Sequence, residues 1–204
     1  MAEPQKRSSR IQQKNRQVIL DAALREFSAR GFAGATIDQI ADAARLSKPN
    51  VLYYFASKES IYRQLLEGLL DLWLAPLREI CAEGEPREQI LNYMRRKMEM
   101  SRTYTLESRL FAYEILQGAP QLESLLEGGL RELVDEKAGI IQVWMEEGRI
   151  PKMDPRHLII SIWALTQHYA DFEAQVRAIL DDGSDPFATG EAFLEGLYDR
   201  LLRV

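Results

Sequence analysis

The chain has 204 residues, of which 46% are apolar and 28% charged, with a formal net charge of −5 and a single cysteine. This composition suits a globular protein and excludes disordered, collagen-like and disulfide-stabilised chains. No apolar run approaches the roughly 20 residues of a membrane span, and the charged N-terminus lacks the apolar stretch of a secretory signal, so we expect a cytoplasmic protein. Without a metal-ligand spacing, a nucleophile motif or a glycine-rich phosphate loop, we expect no metal, no cofactor and no enzymatic activity.

The positive and negative charges are distributed unevenly along the chain. Residues 1–58 hold ten Lys and Arg against five Asp and Glu, a net charge of +5, so the remaining residues carry −10. Such a split suggests a basic N-terminal module that meets a polyanion and an acidic body with another task. A basic tail that serves only solubility is the alternative that charge alone leaves open.

The hydrophobic pattern predicts an all-α protein, because sustained period-2 alternation and hairpin turns are missing from the sequence. Residues 1–14 are expected to form a flexible basic arm, and a first helix follows over residues 15–29. Gly31 ends that helix, since glycine tolerates the left-handed conformation common at helix stops. After the arm we expect an N-terminal three-helix domain over residues 15–60 and a helical body over residues 61–204.

Two short helices come next, each preceded by a hydroxyl residue that can cap its first turn. Thr36 caps a helix over residues 37–44, and Ser47 caps one over residues 48–55. Two short helices joined by about three residues have the dimensions of a helix-turn-helix, whose second helix reads the DNA major groove. A small surface helix in a three-helix bundle is the alternative on spacing alone.

The second of these helices carries side chains that suit DNA better than a protein core. Lys and Tyr bond phosphates, Asn reads base edges, and the free N–H groups of a helix start hold a phosphate. Lys6, Arg7 and Arg10 of the arm are expected in an adjacent minor groove. The candidate DNA contacts in and around this helix are Lys14, Ser47, Lys48, Asn50, Tyr53, Tyr54 and Lys58.

A set of residues at fixed spacing carries a family resemblance: Phe27, Gly31, Thr36, Ile40-Ala41, Ser47, Leu52-Tyr53-Tyr54-Phe55 and Ser57-Lys58-Glu59. With them, residues 15–60 resemble the DNA-binding domain of the TetR family of bacterial transcription regulators. The resemblance implies that the helix over residues 48–55 is the recognition helix and that Thr36, Tyr54 and Lys58 touch the DNA backbone. The family usually has Gly where this chain has Arg45. We therefore expect Arg45 to adopt a positive φ at a cost of about 1 kcal/mol, and it is also a candidate phosphate contact.

The body is predicted to consist entirely of helices. Ser57 caps a long helix that is expected to stop at Pro76, because proline lacks the N–H that continues a helix. Clusters of Gly and Pro then separate five further helices. These are predicted over residues 87–102, 106–117, 121–148, 155–181 and 186–202.

The last two predicted helices offer a surface for pairing with a second copy of the chain. Recognition of a palindromic operator by two helices requires a two-fold homodimer. Apolar residues recur on the last helix at spacings of four, and two helices from each subunit would form a four-helix bundle. Packing within one chain is the alternative. The candidate interface residues are Phe193, Leu194, Leu197, Tyr198 and Leu201.

A ligand site in the body requires apolar walls with a few polar groups. Trp163 and Gln167 are four residues apart and therefore share a helix face. An inward-facing Gln must find hydrogen-bond partners, which either a polar ligand or the protein itself supplies. Trp73 is either a core residue or a ligand wall. The candidate ligand contacts are Trp73, Lys97, Arg109, Tyr113, Trp163, Gln167 and Tyr169.

Five stretches of the body carry a narrower resemblance: residues 71–77, 108–111, 118–120, 134–137 and 163–172. With them, the body resembles that of TetR-family regulators that sense the pyrimidine bases uracil and thymine. This implies a flat, neutral effector whose edge pairs with a Gln amide and whose ring stacks on Trp. We therefore expect a repressor that uracil or thymine releases from operator DNA. A regulator of an efflux or catabolic operon that senses another small, aromatic molecule is the alternative.

Overall fold

The structure is built from helices throughout. The computed structural model describes residues 3–180 and 183–204, and no strand occurs among them. The predicted all-α fold class is therefore confirmed. The helices are α1 (Glu3–Gly34), α2 (Ile37–Ala44), α3 (Lys48–Tyr54), α4 (Lys58–Arg78), α5 (Pro86–Thr103), α6 (Thr105–Leu116), α7 (Glu123–Leu125), α8 (Arg131–Glu146), α9 (Pro155–Asp171), α10 (Glu173–Ile179) and α11 (Pro186–Leu201), with a π-helical turn at Leu126–Leu130 between α7 and α8.

Side-chain caps delimit α2 and α3 at the predicted residues. The Thr36 hydroxyl accepts the Gln39 backbone N–H at 3.2 Å, and the Gln39 side chain accepts the Thr36 N–H at 2.9 Å. The Ser47 hydroxyl accepts the Asn50 N–H at 3.4 Å. These bonds satisfy amides that a helix start leaves unpaired. α2 accordingly has the predicted bounds, and α3 ends one residue before Phe55.

The predicted flexible arm is wrong for the residues that the structure describes, because α1 begins at Glu3 and is helical through residue 14. A proline in the first helical turn is tolerated, and the Gln, Lys and Arg residues that follow are good helix formers. Gly31 interrupts α1 with φ 68° and ψ 170°, so the predicted stop is confirmed. Residues 1 and 2 and the side chains of Lys6 and Arg7 lie outside the described part of the chain, so the minor-groove contact stays a prediction.

Three predicted helix boundaries in the body are also wrong. α4 passes Pro76 and ends at Arg78, because a proline this close to a helix end removes one backbone bond while its ring is buried. The predicted helix over residues 155–181 breaks at Phe172, where φ is −115° and ψ 30°, and its predicted end at residue 181 lies outside the described residues. The predicted helix over residues 121–148 begins instead as α7 and the π-helical turn, which contains two adjacent glycines.

Helix α4 belongs to two apolar cores. Its first half, from Ile61 to Leu69, packs in a core with Phe27 of α1, Ile40 of α2 and Val51 of α3. Its second half, from Leu70 to Leu77, packs in a core formed with α5, α8, α9 and α11. Protein interiors are close-packed and resist continuous deformation. Helix α4 therefore connects the two cores through one continuous element.

The two apolar rows on α11 face different surroundings. Leu194 and Tyr198 are each 1% exposed and lie in the body core, where the Tyr198 hydroxyl is 2.9 Å from the Ser161 hydroxyl. Their assignment to a dimer interface is therefore corrected, because their own chain already covers them. The row that stays exposed consists of Phe193 (65%), Leu197 (39%) and Leu201 (44%).

The described residues contain neither a membrane-crossing helix nor a metal-binding cluster. Within residues 3–180 and 183–204, no helix combines the length and the apolar character that crossing a membrane requires. In the same ranges, His, Cys, Asp and Glu form no group of three that could hold a metal ion. The thiol of Cys81 is free and exposed.

Gly190 on α11 faces the ring of Tyr169 on α9. A Cβ added at Gly190 would lie 2.5 Å from two ring carbons of Tyr169, whereas a Cβ at the exposed Gly139 on α8 would meet nothing within 4 Å. We expect Gly190→Ala to lower the free energy of unfolding by about 1–3 kcal/mol through overpacking. The control Gly139→Ala should raise it by up to about 1 kcal/mol, because alanine is the better helix former. Urea unfolding measures both, and a stabilised Gly190→Ala would contradict the described packing.

Candidate functional site

Helix α3 presents a polar and aromatic surface to solvent. Val51 of α3 is buried in the N-terminal core, and so is Phe55, the residue directly after the helix. This anchoring leaves Lys48, Asn50 and Tyr53 exposed. An ammonium, an amide and a phenol on one short helix provide the groups that bond phosphates and read base edges.

Two of the predicted DNA contacts also have partners within the chain. Lys48 Nζ lies 2.8 Å from Asp38 Oδ2, in an ion pair whose side chains are both largely exposed. Such a pair contributes little stability, so a phosphate can replace the carboxylate. The Tyr54 hydroxyl accepts a hydrogen bond from Asn15 Nδ2 at 2.9 Å, which ties α3 to α1.

Lys58 joins the start of α4 to the end of α1. Its ammonium donates to the carbonyl oxygens of Phe32 at 2.7 Å and Ala35 at 3.0 Å, and it lies 4.4 Å from the centroid of the Phe32 ring. These acceptors are backbone oxygens that follow the interruption at Gly31. Lys58 therefore has a structural role in this conformation, and its contact with the DNA backbone stays a prediction.

The remaining predicted DNA contacts are exposed. Arg45 has φ 56° and ψ 39°, so the expected left-handed conformation is confirmed, and its N–H closes the last turn of α2. Thr36 and Ser47 are exposed while their hydroxyls cap α2 and α3. Lys14 is exposed on α1. All four residues are therefore exposed on the surface formed by α1, α2 and α3.

Arg16 is a residue that the sequence analysis missed. Its guanidinium lies 4.5 Å from the centroid of the Phe55 ring, donates to the Tyr54 carbonyl oxygen at 2.9 Å and also bonds the Gln64 side chain. It thereby joins α1 to the end of α3 and to α4. No local spacing marks it, because its hydrogen-bond partners lie 38 and 48 residues further along the chain.

The body contains a cavity of about 320 Å³ between α4, α5, α6, the π-helical turn and α9. Most of its wall is aliphatic or aromatic, as is usual for a small-molecule site. Four of the predicted ligand contacts, one each from α4 and α5 and two from α9, lie in this wall together. The lining residues are Leu70, Trp73, Leu74, Lys97, Phe111, Ile115, Leu126, Leu130, Trp163 and Gln167.

Three other predicted ligand contacts do not line this cavity. Arg109 donates to the Ala170 carbonyl oxygen at 3.0 Å and to Glu173 at 2.7 Å, while Tyr113 is largely exposed. Tyr169 packs against Phe187 and Gly190 instead. The correction has a geometric reason, since residues two apart on a helix point in nearly opposite directions. Arg109 and Tyr113 each stand two positions from the lining residue Phe111, and Tyr169 stands two positions from the lining residue Gln167.

Three residues that line the cavity, Trp73, Lys97 and Gln167, carry polar side-chain groups. The Trp73 indole N–H is buried, and it has no hydrogen-bond partner among the described residues. The Lys97 ammonium lies 4.9 Å from the centroid of the Trp73 ring, and burial lowers its pKa to about 8. The half-buried Gln167 amide makes no hydrogen bond within the described ranges. The Trp163 indole N–H is satisfied by the Tyr93 hydroxyl, a partner that the sequence analysis did not identify.

A buried carboxylate connects the body to the N-terminal core. Glu114 on α6 accepts a hydrogen bond from the Tyr62 hydroxyl of α4 at 3.1 Å and one from the Gln121 N–H at 2.8 Å. The Tyr62 ring in turn packs against Phe27 and Phe32 of α1, with centroid distances of 4.9 and 4.8 Å. Burial and the Glu114 charge both raise the pKa of Tyr62, which keeps its hydroxyl protonated as a donor. The same helix, α4, carries Trp73 in the cavity wall.

Comparison with known proteins agrees with this arrangement of a helix-turn-helix and a helical body. Residues 19–65 match the bacterial regulatory proteins of the tetR family, and residues 66–197 match the C-terminal region of YcdC-like proteins. The chain is 48% identical over 174 residues to the HTH-type transcriptional regulator RutR of Escherichia coli K12, which covers 85% of this chain and 82% of that one. It is 26% identical over 185 residues to the HTH-type transcriptional repressor SCO4008 of Streptomyces coelicolor, covering 90% and 88% of the two chains.

The fold itself also recurs in solved structures. The crystal structure of SCO4942 from Streptomyces coelicolor superposes with a TM-score of 0.69 at 25% identity, covering 92% of this chain and 98% of that one. The protein is thus a helix-turn-helix transcription regulator that binds DNA, and not an enzyme. It belongs to the TetR family of bacterial transcription regulators.

The left-handed turn at Arg45 combines a steric cost with a candidate phosphate contact. We expect Arg45→Gly to raise the free energy of unfolding by up to about 1 kcal/mol, because glycine adopts this φ without a Cβ clash. The same variant should bind operator DNA more weakly, and its log–log salt slope should become shallower by about one unit. Urea unfolding and fluorescence anisotropy at several salt concentrations measure the two effects. The control Arg45→Lys keeps both the Cβ and the charge and should change neither quantity appreciably.

Proposed function

We propose that this regulator is a homodimeric repressor that binds a palindromic operator and is released by a pyrimidine-2,4-dione such as uracil or thymine. The observation that supports the effector is the apolar cavity, whose wall carries the unpartnered Trp73 indole N–H together with the Lys97 ammonium and the Gln167 amide. Buried polar groups without partners are costly, so their arrangement describes the ligand that would satisfy them.

The hydrogen-bonding capacity of these groups matches a cyclic dione. The Lys97 ammonium and the Trp73 indole are donors only, whereas the Gln167 amide offers one acceptor and one donor group. Uracil presents two carbonyl oxygens on either side of a ring N–H, and its flat ring suits the indole faces of Trp73 and Trp163. The exocyclic amino group of cytosine is a donor, so it would face the donors of the wall without an acceptor between them. The cavity residues Trp73, Trp163 and Gln167 also fall in stretches that resemble pyrimidine-sensing regulators.

An exposed apolar surface supports the dimer. Phe193, Leu197 and Leu201 form a row along α11, and large apolar side chains of α9 and α10 are exposed as well. Monomeric proteins rarely expose large contiguous apolar patches, and homodimers are the commonest assembly that covers such patches. The exposed large apolar side chains of α9 and α10, and of the residue between them, are Ile160, Leu165, Phe172 and Ile179.

Helix α4 provides the proposed route from effector to DNA. A ligand between Trp73 of α4 and Gln167 of α9 stabilises one position of α4 over another, and it can shift the equilibrium only by that difference in affinity. Tyr62 of the same helix packs in the N-terminal core, so the new position of α4 moves α3. Because two recognition helices must stand about 34–36 Å apart to meet one turn of DNA, a small rotation weakens operator binding. Effector and operator should therefore weaken each other reciprocally.

Operator binding tests the DNA side of the proposal. Asn50→Ala removes an exposed amide from α3 and should weaken specific binding by about 1–3 kcal/mol, while unfolding stability stays unchanged. Lys48→Ala should weaken binding and flatten its salt dependence by about one unit. Lys152→Ala removes another exposed lysine, from the body, and serves as the control. Anisotropy with duplexes from the protein's own promoter region gives these values. A monomer that is indifferent to all of them would contradict the proposal.

The unpartnered indole N–H tests the effector. Trp73→Phe keeps an aromatic wall but removes this donor, so uracil affinity should fall about tenfold or more. Trp144→Phe is the matched control, since the Trp144 N–H donates to the Ala82 carbonyl oxygen outside the cavity. Calorimetry with uracil, thymine and cytosine measures the affinities, and an anisotropy titration measures release of the operator. Release by an unrelated aromatic compound, with no effect of uracil, would favour the regulator of an efflux or catabolic operon.

A further inference from the structure

The cavity holds a buried positive charge that no carboxylate of the described chain neutralises through an ion pair. Lys97 is only 2% exposed, and it stands among aliphatic and aromatic side chains of the wall. Its one specific contact is the face of the Trp73 ring, 4.9 Å from the ammonium nitrogen. A buried cation is normally paired with an anion or hydrogen-bonded on all sides, because its desolvation is costly.

The charged groups nearest to Lys97 do not supply that pairing. Asp171 of α9 acts on Lys97 only through longer-range attraction, since its carboxylate accepts the Ser108 hydroxyl of α6 at 2.6 Å. Arg109 of α6 and His168 of α9 compete for the same negative charge. Burial also raises the pKa of Asp171, which makes it a weaker counter-charge.

The burial of Lys97 disfavours its charged form. Burial lowers the pKa of Lys97 to about 8, and the attraction of Asp171 opposes the decrease. The cavity therefore holds an ammonium whose charge is costly in an apolar setting. A ligand that brings a negative charge to Lys97 relieves this cost, whereas a neutral ligand relieves it only in part.

We propose that the cavity binds its effector as an anion, so that cyclic imides and ureides are selected by the acidity of their ring N–H. This inference rests on the proposed function. On binding, the ring N–H bond breaks, the proton passes to solvent, and the electron pair stays on the ligand, delocalised over the nitrogen and both carbonyl oxygens. One oxygen meets the Lys97 ammonium and the other the Trp73 N–H. The Gln167 amide then turns its NH₂ towards the ring nitrogen, which has become an acceptor.

The test compares ligands of nearly equal shape and different acidity by calorimetry at pH 7. In 6-azauracil and 5-fluorouracil, one ring position differs from uracil and the ring N–H is more acidic, while 3-methyluracil lacks the relevant proton. Affinity should rise by up to about tenfold for each unit by which the ligand pKa falls towards the working pH. In buffers of different ionisation enthalpy, uracil should release close to one proton for each molecule bound.

Two variants separate the role of the charge from general packing. Lys97→Met keeps an unbranched apolar stem, and it should abolish both the acidity ranking and the proton release while operator binding persists. Lys137→Met is the matched control, because Lys137 is also buried but pairs with Glu136 outside the cavity and should leave both readouts unchanged.

The two proposals fail in distinguishable ways. If uracil binds without proton release, and 6-azauracil binds no more tightly, the anionic mode is overturned while the pyrimidine effector stands. If no member of the series binds the wild-type protein, the proposed effector class is overturned and the anionic mode with it. Proton release by the wild-type protein decides the question even where Lys97→Met does not fold.

Discussion

Helix α4 is shared between two apolar cores, and the rest of the molecule depends on that sharing. Between Leu69 and Leu70 the helix passes from the core that orients the recognition helix to the core that surrounds the cavity. A helix is stiff along its axis, so neither core can move α4 without affecting the other. The Tyr62–Glu114 hydrogen bond adds a second connection between the same two regions. In the proposed mechanism, this continuous packing connects the cavity to the DNA-binding helices.

The polar groups in the cavity wall are the second structural feature on which the proposed function depends. In most protein interiors an indole N–H, an amide and an ammonium would each find a partner from the chain. Here the Trp73 N–H does not, within the described residues, and the Lys97 ammonium lies over the Trp73 ring. Their arrangement costs stability in the empty state. Under the proposed function, a ligand that satisfies all three groups would recover this free energy and could use it to shift the position of α4.

Local chemistry made helices α2 and α3 predictable. Hydroxyl caps at Thr36 and Ser47 and the stop at Gly31 act over three or four residues, so the bounds of α2 and α3 follow from short-range patterns. The same rules were misleading where packing overrides them. Pro76 is tolerated because it stands in the last turn of a buried helix, and α9 breaks at Phe172 although its apolar spacing continues. The N-terminal segment is helical because nothing in its sequence stops a helix.

The sequence by itself determined the all-α class, the helix-turn-helix and the position of Trp163 and Gln167 on one helix face. Caps, glycine stops and four-residue spacings all act within one element. It did not show that Gln167 rather than Tyr169, and Phe111 rather than Arg109, line the cavity. The face of a helix that turns inward depends on neighbours that are distant in the chain. Only the tertiary structure decided that Lys97 joins Trp73 in one cavity wall. Likewise, only packing against α5 and α9 buries Leu194 while Phe193 stays exposed, since one residue along a helix changes direction by about 100°.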